Sequence, residues 1–222
     1  MKISDFRNLI KELPYYNQSF NIKESIWKND SQSELISKVF DNKKSITLNR
    51  YDLFNSSYNL PEFIIKTLMW GYPTKGRGNN IDIMLLDENF KKLTNILIGC
   101  TETDITFSKI EKMVKEVNGI GISTITKFLY FLNTSIEGNR AVILDKQIID
   151  IIHSGKYEEF KSLKNIRYDN AFKKYAEYLT IVNNLSRELK VKPDQIEFFL
   201  FVFGKSLSEL KGEECYDEDI LN

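Results

Sequence analysis

Cysteine, proline, glycine and histidine are all scarce in this chain, and each scarcity excludes something. The two cysteines, Cys100 and Cys215, lie far apart without metal-ligand spacing, so neither a disulfide framework nor a zinc or iron–sulfur site is readable. No apolar run approaches the roughly 18 residues of a membrane-spanning helix. The first residues, Met1-Lys2-Ile3-Ser4-Asp5-Phe6-Arg7, lack the apolar stretch of a signal peptide. A cytoplasmic chain without membrane association is the expectation. No Ser/His/Asp set and no Walker-type phosphate loop is present, which leaves hydrolase and nucleotidase readings without a motif. The one histidine, His153, stands near Gly155 and reads as a cation at a helix C-terminus rather than as a general base.

With only ten glycines and four prolines, long stretches run uninterrupted and follow the helical period. Ile110, Met113, Val114 and Val117 form one stripe, and Ile122, Ile125, Leu129 and Leu132 continue it beyond a turn. Pro61, Ile64, Ile65 and Leu68 mark an amphipathic helix. Phe172, Tyr175, Ala176 and Leu179, with Val182, Leu185 and Leu189, predict a helix from near Tyr168 to before Pro193. Pro193-Asp194 opens a last helix through Ile196, Phe198, Phe199, Leu200, Phe201, Val202 and Phe203, apolar on nearly every face and expected at a buried centre. Ala141-Val142-Ile143-Leu144 reads as a short extended lead-in to a helix from about Asp145 to His153. Ser45-Ile46-Thr47-Leu48 is a candidate strand. The expectation is a single mainly α domain over residues 1–212, a helical bundle that two lobes around a cleft would also satisfy.

Hydrophobic residues make up 42% of the chain, ample for a packed core. Net charge is zero, but the acids are unevenly placed. Glu213, Glu214, Asp217, Glu218 and Asp219 form an acidic tail, 213–222, that reads as a solvated terminus. Residues 1–212 carry 31 basic against 26 acidic side chains, a net of +5, compatible with a polyanion at a local patch.

The turn Val117-Asn118-Gly119-Ile120-Gly121 lies between two of the predicted helices. Gly119 and Gly121 can take positive φ and let a phosphate approach the backbone. The next helix offers free amides and the positive end of its dipole. The carbonyls of Val117 and Ile120 could hold a monovalent cation bridging to the same phosphate, and Lys109, Lys112 and Lys115 could add counter-charge. A plain helical hairpin whose glycines serve only tight turning remains the other reading. Asp145 stands 22 residues beyond Ser123, at a predicted helix start. It suits a helix cap, or an acid acting on the nucleotide that the hairpin anchors.

Val117-Asn118-Gly119-Ile120-Gly121-Ile122-Ser123-Thr124, then Phe128-Leu129, then Ile143-Leu144-Asp145-Lys146-Gln147-Ile148, resembles the helix-hairpin-helix DNA glycosylase superfamily over about 40 residues (108–153 broadly). There a Leu-Pro-Gly-Val-Gly hairpin precedes a helix, and a Val-Asp or Leu-Asp pair opens the next. The resemblance implies a helix-hairpin-helix glycosylase-like bundle, Asp145 as catalytic acid, and Gly119, Ile120, Gly121 and Ser123 as DNA contacts. It implies double-stranded DNA as partner, no cofactor, and action as a monomer at the nucleoid. Bifunctional members place a Schiff-base lysine two residues after the second hairpin glycine. Ser123 stands there, as in the monofunctional adenine-mismatch branch, so base release by water without strand cleavage is implied. Lys127 and Lys146 are the nearby amines, both expected at the solvated surface. Three features depart from the pattern: the iron–sulfur cysteines are missing, Asn118 replaces the usual proline, and a loop near Ser135 to Arg140 must absorb a longer gap.

A second stretch, Leu68-Met69-Trp70-Gly71-Tyr72-Pro73-Thr74-Lys75-Gly76-Arg77-Gly78, joins two aromatics to two cations on a glycine-rich loop. Trp70 and Tyr72 could shape a base pocket, and Lys75 and Arg77 could reach phosphates. Small bacterial proteins described as having an 8-oxoguanine glycosylase fold show a similar Trp-Gly…Arg-Gly loop. The alternative is that both aromatics anchor a helix end in the core. At the level of function, a non-catalytic DNA-binding protein on the same scaffold, serving defence against foreign modified DNA, stays open beside the enzyme.

Overall fold

Apolar stripes at helical spacing become helices throughout the described chain, residues 1–76 and 78–210 of a computed structural model. The chain is mainly α, and its contacts divide it into two compact units, one spanning Pro14–Asp145 and the other residues 1–13 with the chain from Lys146 onward. The acidic tail and Arg77 lie outside the described residues. No described helix is long and apolar enough to cross a membrane.

The Pro14–Asp145 unit begins with β1 (Ser19–Lys23), α2 (Ser33–Phe40) and β2 (Ser45–Asn49), after α1 (Arg7–Lys11) of the other unit. The two strands pair antiparallel, Ser19 opposite Asn49 and Lys23 opposite Ser45. The Asn49 side chain then accepts the Asp52 amide (2.9 Å) while Asp52 accepts the Asn49 amide (2.9 Å), a capping box that opens α3 (Arg50–Phe54). Next come α4 (Leu60–Gly71), α5 (Asn80–Leu85), α6 (Asp87–Ile98), β3 (Asp104–Ile105), α7 (Phe107–Glu116) and α8 (Ile122–Phe131). Every residue of α8 is buried, and α4 packs against it with Phe63 tilted on Phe128, 6.0 Å between ring centroids. The loop expected near Ser135 to Arg140 is a small hairpin of β4 (Ser135–Ile136) and β5 (Asn139–Arg140), with Glu137 and Gly138 at positive φ in its turn.

An aromatic cluster fixes the far side of α4. Trp70, Tyr130, Phe131 and Phe54 meet edge to face, and the fully buried Arg50 guanidinium lies 5.4 Å from the Trp70 ring and 5.2 Å from Tyr130. Arg50 donates to Gln18 Oε1 (2.7 Å) and the Tyr130 hydroxyl (3.0 Å), so its buried charge is hydrogen-bonded.

In the second unit, α9 (Lys146–His153), α10 (Ala171–Leu189) and α11 (Pro193–Leu210) pack together, with α1 against α11. The starts and ends of α9 and α10 fall close to the periodic segments. α11 departs from the expectation of burial all round. Ile196, Phe199, Leu200 and Gly204 stay covered, whereas Phe201 and Phe203 are half-buried and Val202 is 43% exposed. The reason is geometric: α9 covers one stripe, where a Cβ on Gly204 would stand 3.0 Å from Ile151.

Candidate active site

α7 is capped by Thr106, whose side chain accepts the Lys109 amide (3.3 Å), and ends at the turn. Of the two hairpin glycines only Gly119 takes positive φ, at +87°. Gly121 is extended (φ −119°, ψ 177°), a conformation open to any residue, and its carbonyl receives the Thr124 and Ile125 amides (3.0 Å each) as α8 begins. The space beside Gly119 is taken by protein: a Cβ there would stand 2.6 Å from the Asn80 carbonyl oxygen of α5. Ile120 is buried, and its amide donates to the Val117 carbonyl (3.4 Å), so one of the two carbonyls expected to hold a cation also closes the turn. Among the lysines before the turn, Lys109 donates to the Gly99 carbonyl (2.7 Å), while Lys112 and Lys115 pair with Glu116 and Glu111 along α7.

Asp145 immediately precedes α9 and is half-buried. The four residues before it, Ala141 to Leu144, are buried, and the Leu144 amide donates to Thr126 Oγ1 on α8 (3.2 Å). Thr126 also donates to the Ser123 carbonyl (3.5 Å). A chain of bonds therefore runs from the first turn of α8 to the residue beside the acid.

Tyr72 faces the same place from the end of α4. Its hydroxyl shares a 2.7 Å hydrogen bond with Thr124. Burial raises the Tyr72 phenol above its ordinary value of 10.0; the Asp145 charge adds to that rise and the Thr124 bond opposes it. Tyr72, Thr124 and Asp145 thus form one electrostatic neighbourhood, within one unit.

Lys127 departs most from expectation. It is 5% exposed, not a solvated surface lysine. Its Nζ donates to the Ser123 carbonyl (3.1 Å) and stands 5.3 Å from the centroid of the Tyr72 ring. The stem crosses α4 at Gly71, where a Cβ would come within 2.8 Å of Lys127 Cδ. A signal existed in the sequence: Lys127 is the single charged residue among the ten of α8, which therefore has no charged face to turn to solvent. Lys146, by contrast, is exposed and pairs with Asp150 (2.8 Å).

Two other expected site residues lie elsewhere. Trp70 is not open to an incoming base. It is 3% exposed, bonded through its indole N–H to the Gln18 carbonyl (3.2 Å), and enclosed by Phe20, Phe131 and Arg50. Lys75 turns back onto the protein, to Asp82 (2.6 Å) and the Lys28 carbonyl (2.9 Å). Burial pushes the Asp82 carboxyl up, but the hydrogen bonds from Lys75 and Asn29 and the Lys75 charge bring it below the usual value. Arg77 lies outside the described residues.

A mainly helical chain in which α8, following the α7–turn–α8 hairpin, is hydrogen-bonded to Leu144, the residue before the acid at the head of the next helix, has a glycosylase-like helical fold. Residues 14–201 match a family model described as "Putative 8-oxoguanine DNA glycosylase OGG-like protein". The match spans most of the chain, so the chain belongs to that family. No curated protein and no solved structure matches it significantly.

Proposed function

We propose that the protein is a DNA glycosylase that releases a damaged or modified base from double-stranded DNA, with Asp145 as the catalytic carboxylate. The observation that carries this reading is the bond from the Leu144 amide to Thr126, which ties the acid to the helix following the hairpin. In the reaction the C1′–N bond breaks and its electrons leave with the base. Oxocarbenium character develops on the sugar, and a fixed carboxylate stabilises it. Water adds at C1′ and its proton passes to Asp145, leaving an abasic site. The target base must leave the stack first, so Tyr72, Thr124 and Asp145 are the groups assigned to its pocket. The hairpin glycines with Ile120, and the first amides of α8 beside Ser123, are assigned to the phosphate. The proposed setting is the bacterial cytoplasm at the nucleoid, with the protein acting as a monomer in base excision.

Ser123 at the hairpin position favours hydrolysis without strand cleavage. A second reading rests on the burial of Lys127 beside Tyr72. In it the neutral amine attacks C1′, the base departs with the C1′–N electrons, and the sugar ring opens to an imine. Loss of a C2′ proton then expels the 3′ phosphate. Incubation with duplexes bearing a panel of oxidised, alkylated and mismatched bases, then alkali, tests the first reading: abasic sites appear only if a base is released. Borohydride added during turnover decides between the two, because only the imine is reduced to a covalent protein–DNA adduct. No alkali-labile site on any duplex would leave the non-catalytic DNA-binding alternative.

A further inference from the structure

We infer that Lys75 is a positioning residue: paired with Asp82 of α5, it fixes the ring of Tyr72 in the proposed base pocket and ties that pocket to the hairpin. The inference rests on the proposed glycosylase function for what the pocket does. The sequence offers Lys75 as a phosphate contact, but its ammonium is turned inward. It meets Asp82 Oδ1 at 2.6 Å and the Lys28 carbonyl at 2.9 Å, and the side chain is only 17% exposed. Asn29 donates to the same Asp82 oxygen (3.0 Å).

These bonds hold a turn that leads straight back to Tyr72. The Lys75 amide donates to the Tyr72 carbonyl (2.7 Å). Lys75 itself has φ +63°, a left-handed conformation that costs a residue with a side chain and persists where its surroundings enforce it. Gly76 then lies against the ring: a Cβ on it would stand 3.5 Å from Tyr72 Cδ1 and 3.9 Å from Ile81 Cδ1 of α5. Tyr72 is thus gripped at two places, its hydroxyl by Thr124 of α8 and its carbonyl and ring edge by this turn. The other end of the tie is α5. Asp82 holds Lys75, and Asn80, two residues earlier, places its carbonyl oxygen 2.6 Å from where a Cβ of Gly119 would be. One short helix therefore touches both the hairpin assigned to the phosphate and the turn that sets Tyr72. An extruded base needs that relation fixed, because a misplacement of about 1 Å can cost about a hundredfold in rate.

The test follows the Tyr72 phenol by ¹³C NMR of labelled tyrosine in Lys75→Met, Asp82→Asn and the double variant. Lys92→Met, which breaks the exposed Lys92–Glu88 pair of α6, is the control. Burial is the main cause of the raised Tyr72 pKa, so a loosened turn should let it fall toward 10.0. Loss of the Lys75 charge alone would move it up, so a fall in Lys75→Met reports the ring and not the charge. The double variant should fall no further than the larger single shift, and the control should match the wild type. An unmoved Tyr72 signal in Lys75→Met overturns the inference, as does a double variant whose shift is the sum of the two. On the lesion duplexes, Lys75→Met should release the base about tenfold or more slowly in single turnover, with unchanged duplex affinity. Release at the wild-type rate despite a moved tyrosine signal overturns the inference too, and so does weakened duplex affinity with an unmoved signal, the mark of a phosphate contact. A wild type that releases no base rejects the glycosylase, and the tyrosine titration then decides by itself whether Lys75 positions Tyr72.

Discussion

Lys127 Nζ stands 5.3 Å above the ring of Tyr72, and the Tyr72 hydroxyl bonds Thr124 one residue beyond Ser123, whose carbonyl receives that same Nζ. The ammonium and the phenol therefore brace one another across α4 and α8. Burying an ammonium is a poor way to gain stability, because the desolvation cost offsets most of what its partners return. Lys127→Met keeps the stem and removes the charge. Its stability should stay within about 1 kcal/mol of wild type, whereas Lys127→Ala should lose about 2–4 kcal/mol with the packed stem. Urea unfolding measures both. Equal losses for the two variants would show that the charge, not the stem, supplies the stability.

Gly71 makes that arrangement possible. A Cβ at this position would be 2.8 Å from Lys127 Cδ, so Gly71→Ala should displace the lysine and cost about 1–3 kcal/mol. In Gly71→Ala/Lys127→Ala the clash has no partner, and the two losses should be clearly less than additive. Strict additivity in a double-mutant cycle would break the link.

The two hairpin glycines should respond differently. Gly119 has φ +87° and the Asn80 carbonyl beside it, so Gly119→Ala should cost at least about 2 kcal/mol. Gly121 is extended, and its conformation is open to alanine; Gly121→Ala should cost under about 1 kcal/mol. A bulky Gly121→Arg tests function instead: DNA binding equal to wild type would reject the hairpin as an anchor.

The phenol of Tyr72 gives a handle on Asp145. Its pKa is raised in the folded protein, so the neutral form is favoured there. The resulting stability is complete below the ordinary value of 10.0 and disappears as pH rises through the higher folded value. Burial is the larger cause and the Asp145 charge a further one. Asp145→Asn should therefore lower the Tyr72 pKa while leaving it above 10.0, read by ¹³C NMR of labelled tyrosine. No movement would mean that the acid does not face this pocket.

Helix positions were largely legible, because α7, α8, α9 and α10 each carry an uninterrupted apolar stripe. β1 was not, since only Ile22 of Ser19–Lys23 is buried and its pairing with β2 is a tertiary matter. The spacing of the hairpin and Asp145 was legible, whereas the bond from the Leu144 amide, beside Asp145, to α8 depends on Thr126, which carries no local signal. The burial of Trp70 was not legible because its enclosure comes from Gln18, Phe20 and Arg50, residues distant in the chain. Lys127 is the opposite case: its neighbours in α8 are all buried, and that local context outweighs the usual exposure of a lysine.

Asp145 is the residue proposed to perform base excision. Single-turnover release from the best duplex of the lesion panel, with enzyme in excess, measures it for wild type and Asp145→Asn side by side. The variant should bind this duplex with unchanged affinity and release the base about a hundredfold or more slowly. A variant that releases the base at the wild-type rate contradicts the proposal.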